Sequence, residues 1–386
     1  MPDLHRLTTV PLSFETLLKG QPSFMQQYYD VTIICSDKER LEKAGIAEGV
    51  KTYPVELTRQ ITPVKDLKAL WKLYHYFRKE KPNIVHTHTP KAGLIGMLAA
   101  RLARVPHRLH TVAGMPLMET AGLKRKILNF TEKLTYRCAQ HVYSNSKGLY
   151  EFIIDNRFCP EQKLKIIGNG SSNGIDTAHF SPTFYSHEQN EKLRTELNIP
   201  LNAFVFCFVG RIVKDKGINE LIQAFKKLST VNCQLSIKLL LVGPYEQELD
   251  PLLPETETEI RNNTNIISVG FQTDVRPYLA ISDIFVFPSY REGFPNVVMQ
   301  AGAMELPCIV TDINGCNEII EDGVNGLIIP VKDKESLKEK MLLLLNNHRL
   351  VMQLKQKARE MITSRYEQRM VWEALLEEYR QLEIKN

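Results

Sequence analysis

Residues 282–303 read SDIFVFPSYREGFPNVVMQAGA: an apolar run of strand length, a short polar loop, then a run of helical character. Strand, loop and helix in that order form the repeating unit of a parallel sheet. Pro295 suits the first helical position, and Gly293 lets the backbone come close to a ligand. The free N–H groups of such a helix start make a cradle for an anion or a hydroxyl. Glu292 sits at that mouth and would repel a phosphate. Its expected uses are therefore to accept hydrogen bonds from neutral polyol hydroxyls, to balance a nearby positive charge, or to cap the helix. Eight residues on stands the neutral Gln300.

Working outward, the chain has 386 residues, 43% hydrophobic and 24% charged, which is the composition of a globular protein long enough for two domains. The longest apolar runs, such as FVFCFVG (204–210), fall short of the roughly 18 to 20 residues of a bilayer span, and MPDLHRLTTVP lacks an apolar signal core. A cytoplasmic protein is expected. Seven cysteines occur without any C-x-x-C pair, which points to neither a disulfide frame nor a zinc site. Charge is uneven: residues 1–180 carry 26 Lys and Arg against 16 Asp and Glu, a net of +10, while residues 181–386 carry 23 against 28, a net of −5. The basic first half suits an anionic partner such as a membrane surface or a phosphorylated acceptor, or it is a solvated basic face. Its cations are not interleaved with aromatics, which weighs against nucleic acid.

Both halves alternate strand-like and helix-like runs. The first offers HRLTTV, DVTIICS, PNIVHTH, HRLHTV, HVYSNS and LKIIG; the second FVFCFVG, IKLLLVG, NIISVG, DIFVFPS, PCIVTD and GLIIP. Helical patterns such as VKDLKALWKLYHYFRKE, GINELIQAFKKLS and ESLKEKMLLLLNN separate them. The fold class is therefore α/β, with two doubly wound, Rossmann-like domains facing across a cleft. The expected domains are 1–180, 181–365 and a final helix in 366–386 that packs back on the first. In such sheets ligands sit beyond the carboxyl ends of the strands.

VGRIVKDKG (209–217) ends a strand in Gly210 and places Arg211 and Lys216 before the next helix. Arg offers a planar fork and Lys a point charge, so the pair can grip a diphosphate; the alternative is a solvated basic turn. GNGSSNG (168–174) nearly matches a dinucleotide fingerprint, but its last spacing is too long and a poor helix follows. No D-x-D pair is present to bring a divalent metal to a diphosphate, and neither a metal nor a cofactor is expected.

GRIVKDKG, SDIFVFPSYREGFPNVVMQA and DGVNGLIIP (322–330) together resemble the donor-binding half of GT-B glycosyltransferases of family 4, retaining enzymes that use nucleotide sugars. TTVPLSFETLLKGQPSFM (8–25), IVHTHTPKAGLIGMLAARLARVP (84–106) and SNGID (172–176) resemble its acceptor domain, in the branch that builds bacterial capsular, exopolysaccharide and O-antigen repeat units. The resemblance implies that Arg211 and Lys216 hold the donor diphosphate beside Gly210 and Gly243. It gives the donor sugar to Glu292 and the backbone of Gly293, Phe294, Pro295 and Asn296, and the base to Phe271. Glu292, Arg211 and Lys216 would be the catalytic group, while Ser13, His88, Lys91 and His110 are the acceptor-side candidates.

Two departures stand out. The family closes a Glu-x7-Glu motif with a second acid for the ribose hydroxyls, where this chain has Gln300; a neutral hydrogen bond is worth about 0.5 to 1.5 kcal/mol against about 1.5 to 3 for a charged one. Where the family often has a histidine in its T-x-H-G-like loop, HTVAG (110–114) puts Ala113. The implied partners are a nucleotide sugar, with UDP favoured over GDP, and a glycan acceptor carried on a polyprenyl diphosphate. Peripheral association with the inner membrane face and a monomer or dimer complete the expectation. A nucleotide-sugar epimerase and a non-catalytic sugar-nucleotide-binding subunit are the competing readings.

Overall fold

The computed structural model describes residues 1–384 except 59, 61, 116–121, 232–235, 247 and 249. It divides into two compact units, Met1–Asn173 with Arg369–Asn386 and Gly174–Gln368.

The first unit is a seven-stranded parallel sheet in the order β3-β2-β1-β4-β5-β6-β7. Its strands are β1 (Asp3–Leu7), β2 (Asp30–Cys35), β3 (Lys51–Pro54), β4 (Ile84–His88), β5 (His107–Val112), β6 (His141–Ser144) and β7 (Leu164–Ile166). The order reverses at β1 and β4, which is the double winding expected from the alternating pattern. The edge strand β3, KTYP, has too little periodicity to be read from sequence. The second unit is a six-stranded parallel sheet in the order β10-β9-β8-β11-β12-β13. Here the strands are β8 (Phe204–Val209), β9 (Ile237–Val242), β10 (Ile266–Ser268), β11 (Ile284–Phe287), β12 (Cys308–Thr311) and β13 (Gly326–Ile329). The inner strands β8, β9, β11 and β12 are buried almost throughout, as a sheet covered on both faces requires.

The division falls at 173 and 368 rather than at 180 and 365. Ile175 donates its N–H to Tyr366 O (2.8 Å) and accepts from Gln368 N (2.9 Å), and Arg359 binds the carbonyls of Thr177 and Phe180. These bonds tie 174–180 to the second unit. The last helix, Gln368–Ile384, belongs to the first: Leu375, Leu376, Tyr379 and Leu382 are buried with Leu4, Phe14, Ile84, Leu109 and Tyr143 on one face of its sheet. GNGSSNG forms turns with Gly168, Gly170 and Gly174 at positive φ, and no helix follows, so it is not a phosphate loop.

The same sheet face carries polar groups that the strand pattern does not announce. Arg6, His86 and His88 are 0%, 0% and 2% exposed. His86 bridges Tyr379 Oη (2.6 Å) and Thr111 Oγ1 (2.7 Å), and Tyr143 donates to Glu378 (3.2 Å). Burial lowers the pKa of His86 and His88 well below 6.5, with neighbouring Arg6 and histidines adding to it. Burial also brings His5 and His110 down to about 4. All four belong to the first unit, and each is therefore folded in its neutral form.

Between pH 6.5 and about 4 the unfolded chain takes up protons at these positions while the folded chain does not. Stability is thus complete above 6.5 and declines as pH falls through that window, by up to about 3 kcal/mol for each strongly shifted histidine. Both tryptophans, Trp71 and Trp372, lie in the first unit, so their fluorescence follows its unfolding. The urea midpoint read from tryptophan should drop between pH 7 and pH 5; an unchanged midpoint would contradict a neutral buried histidine set.

Candidate active site

β8 and β9 pair in parallel and are followed at once by Gly210 and Gly243. Gly243 has φ 149°, and a Cβ there would stand 1.8 Å from Gly210 O. The two turns press backbone on backbone, which fixes where Arg211 leaves the sheet. The Arg211 guanidinium binds Glu246 (Nη1 to Oε2, 2.9 Å) and lies 4.0 Å from Asp215. Asp215 also receives Arg291 Nη2 at 3.0 Å.

Lys216 closes the 3-10 turn Lys214–Lys216, ahead of the helix Ile218–Val231. Its Nζ pairs with Glu292 Oε1, in side chains only 15% and 17% exposed, and stands 5.6 Å from the centre of the Phe287 ring. The same Oε1 accepts from Ser289 Oγ at 2.9 Å, while Glu292 Oε2 has no partner among the described residues. Of the three uses open to Glu292, charge balance is therefore the one realised here. One carboxylate oxygen is spent on it, and the other remains to accept.

The loop after β11 leads into the helix Asn296–Ala303. Pro295 sits at the N-cap, φ −76° and ψ 108°, and not at the first helical position expected of it from sequence, because its ψ is still extended; Asn296 is the first helical residue. Phe294 is 8% exposed and packs edge-on against Tyr366 at 5.2 Å. Its ring anchors the loop in the core, which leaves its backbone as the part that can meet a ligand. Gln300, deeper in the helix, makes no side-chain hydrogen bond among the described residues, and Phe271 stands 69% exposed beyond β10. Gly210, Arg211, Lys216, Gly243, Phe271 and 292–300 all lie on turns at the carboxyl ends of strands of this one sheet, or on the helix that follows β11.

Three supports of this loop carry no signal of that role in the sequence. Ser289 is fully buried and holds Glu292; Thr311 Oγ1 donates to Ser289 O at 2.5 Å; Asn314 Nδ2 donates to the carbonyls of Glu292 (3.1 Å) and Gly293 (2.5 Å). The Asn314–Gly315 pair signals a tight turn, but nothing in it names the partner.

The acceptor-side candidates fare unevenly. His110 is 2% exposed, bonds Thr87 Oγ1 at 2.8 Å, and lies beneath Gly93, where a Cβ would come within 2.4 Å of its ring. It is a core residue and not an acceptor contact, because its face of β5 is covered by the helix Pro90–Leu102. His88 is also buried, and its Nε2 meets Arg6 Nη2 at 2.8 Å. A guanidinium only donates, so Nε2 accepts and the proton sits on Nδ1. Nδ1 has no hydrogen-bond partner among the described residues, and His88 lines a cavity of about 20 Å³ with Gln21, Thr111, Tyr143 and Asn145. Lys91 is committed to Asp66 (2.5 Å), and Ser13 is half-buried at the start of a single helical turn. Ala113 offers its carbonyl to Asn145 Nδ2 at 3.4 Å. Next to His88, Thr89 is held at φ 87°, a strained conformation fixed in part by Thr9 Oγ1 at 2.8 Å.

Among the described residues there is no cluster of His, Cys, Asp and Glu fit for a metal, and no helix long and apolar enough to cross a membrane. Residues 189–361 match the family of glycosyl transferases group 1, and residues 23–170 match the glycosyl transferase 4-like domain. The capsular polysaccharide biosynthesis glycosyltransferase CapM of Staphylococcus aureus is 34% identical over 374 residues, which covers 96% of this chain and 95% of that protein. An Escherichia coli UDP-Gal:alpha-D-GlcNAc-diphosphoundecaprenol alpha-1,3-galactosyltransferase is 30% identical over 80% of this chain and 78% of its own. Among solved structures, Anabaena Alr3699/HepE in complex with UDP superposes with a TM-score of 0.81 at 18% identity, over 98% of this chain and 100% of that one. With its two parallel-sheet domains, its matches to both family models and a relative at 34% identity, the chain belongs to the family 4-type GT-B glycosyltransferases.

Proposed function

We propose that this glycosyltransferase moves a hexose or N-acetylhexosamine from a UDP-sugar to a hydroxyl of a polyprenyl-diphosphate-linked glycan in surface-polysaccharide synthesis, with retention at the anomeric carbon. The observation that carries the donor half is the grouping of Arg211, Lys216 and Glu292 at neighbouring strand ends of one sheet. UDP is supported by the E. coli relative, which is named for UDP-Gal, and by the HepE complex with UDP. The lipid-linked acceptor is supported by that relative and by a Campylobacter jejuni N,N'-diacetylbacillosaminyl-diphospho-undecaprenol alpha-1,3-N-acetylgalactosaminyltransferase. The nucleotide sugar is a substrate, and the reading asks for no resident cofactor.

In this reaction the bond from the anomeric carbon to the diphosphate oxygen breaks and a bond to the acceptor oxygen forms. Negative charge grows on the departing UDP, and fixed cations stabilise it without solvent reorganisation. Arg211 and Lys216 supply those cations. Neither His88 nor His110 is placed as a free base, which favours a same-face route in which the leaving phosphate oxygen takes the acceptor proton. Glu292, once Lys216 turns to the diphosphate, is left to accept from sugar hydroxyls.

The first unit also carries a basic, apolar helix. Gly122–Cys138 exposes Leu123, Ile127 and Phe130 at 74%, 43% and 66% along one stripe, with the exposed Lys126 and Lys133 beside it. Such a surface suits the anionic cytoplasmic leaflet that would present the acceptor.

Arg211→Ala and Lys216→Ala should each lower kcat by roughly 100-fold or more, the order seen when one preorganised charge-stabilising group is removed. Near-full turnover in either would remove the electrostatic basis of the reading. Gln300→Glu should tighten donor binding in a calorimetric UDP titration, and unchanged or poorer affinity would speak against a ribose contact. In flotation, the protein should rise with vesicles containing phosphatidylglycerol and not with pure phosphatidylcholine; equal behaviour would argue for a soluble acceptor.

A further inference from the structure

The loop that carries Glu292 is held in place by a residue on another turn. Asn314 follows β12, and its Nδ2 donates to Glu292 O (3.1 Å) and Gly293 O (2.5 Å). Gly315 beside it has φ 76°, and a Cβ there would meet Gly293 O at 2.6 Å and Phe294 Cα at 2.9 Å. The two turns are therefore in backbone contact, and the carboxamide is the part that fixes their orientation.

In a trans peptide the C=O and N–H vectors point in opposite directions. With the carbonyls of Glu292 and Gly293 drawn to Asn314, the N–H groups of Gly293 and Phe294 face the other way. Neither donates to any group among the described residues. Immediately after them comes the helix Asn296–Ala303, whose first N–H groups have no acceptor within the helix. The adjacent Glu292 carboxylate disfavours an anion on these donors, and the cations for a diphosphate are Arg211 and Lys216. What remains for the row of N–H groups is the oxygens of a neutral polyol.

We infer that Asn314 is a positioning residue for the sugar of the donor, orienting the Gly293 and Phe294 amides toward its hydroxyls while leaving the nucleotide untouched. The inference rests on the donor-site reading above. It separates two parts of one ligand: removing the carboxamide should weaken what the amides hold and spare what the cations hold.

The test compares wild type, Asn314→Ala and Asn314→Asp by calorimetry with UDP, UDP-galactose and UDP-N-acetylgalactosamine, together with steady-state kinetics using whichever sugar wild type turns over. UDP affinity should stay within about twofold, which also shows that each variant is folded, while affinity for the intact donor and kcat/KM fall roughly tenfold. Asn314→Asp keeps the size but sets a carboxylate against two carbonyls, so it should lose at least as much as Asn314→Ala. A merely structural role would lower the thermal midpoint and shift UDP and UDP-sugar together; that result, or no change in either, overturns the inference. Wild type that binds neither UDP nor a UDP-sugar overturns the donor-site reading itself, and this inference with it.

Discussion

The Lys216–Glu292 pair is the constraint around which the second unit's functional end is arranged. Both side chains are largely buried, so each charge needs the other: removing one partner of such a pair leaves the second uncompensated, a cost of about 3 to 5 kcal/mol. Ser289 adds a hydrogen bond to the same carboxylate oxygen, and the Phe287 ring lies beneath the ammonium. The acid is thus held by its side chain from the β8 turn and by its backbone from the β12 turn, where Asn314 takes its carbonyl. Three neighbouring strands converge on one residue, which gives its position a precision that a loop alone does not provide.

This arrangement also accounts for a carboxylate at a helix mouth, where free N–H groups favour an anion. In the resting protein it is the counter-charge of Lys216, just as Glu246 and Asp215 are the counter-charges of Arg211. On the proposed reading, the diphosphate takes over the two cations and Glu292 turns to hydroxyl groups. The exchange trades one set of ionic bonds for another, so donor affinity reflects a difference between them and not the full attraction of two cations for a diphosphate.

The first unit follows a different logic. Its sheet face beneath the last helix is not purely apolar: Arg6 donates to His88, His86 to or from Tyr379, and Trp372 Nε1 donates to Asn173 Oδ1 at 2.7 Å. Tyr29 and Tyr143 donate to Glu383 and Glu378 on that helix. Directional bonds of this kind fix which turn of the helix meets which strand, whereas leucine packing would tolerate sliding by a turn. His86, two residues before the acceptor-side candidate His88 on β4, is used here to seat an element from the far end of the chain.

The sequence by itself determined the two parallel sheets apart from the edge strand β3, since strand and helix periodicities are local. It also determined the order of Gly210, Arg211, Lys216 and Glu292 at strand ends, because turn chemistry and strand termini are readable within a few residues. The departures at Gln300 and Ala113 came instead from the family resemblance, against whose pattern alone they are departures. Only the tertiary structure decided which side of β5 was closed, so that His110 became a core residue, and whether the boundary lay at 173 or 180, which turns on Ile175 bonding to Tyr366 and Gln368. Ser289, Asn314 and Glu246 acquired their roles the same way, through contacts with groups on other segments: Asn314 reaches back across more than twenty residues, and Glu246 meets Arg211 across 35. A periodic pattern encodes the face a residue occupies, but the partner it meets there depends on how distant turns come together, and that is a property of the folded chain.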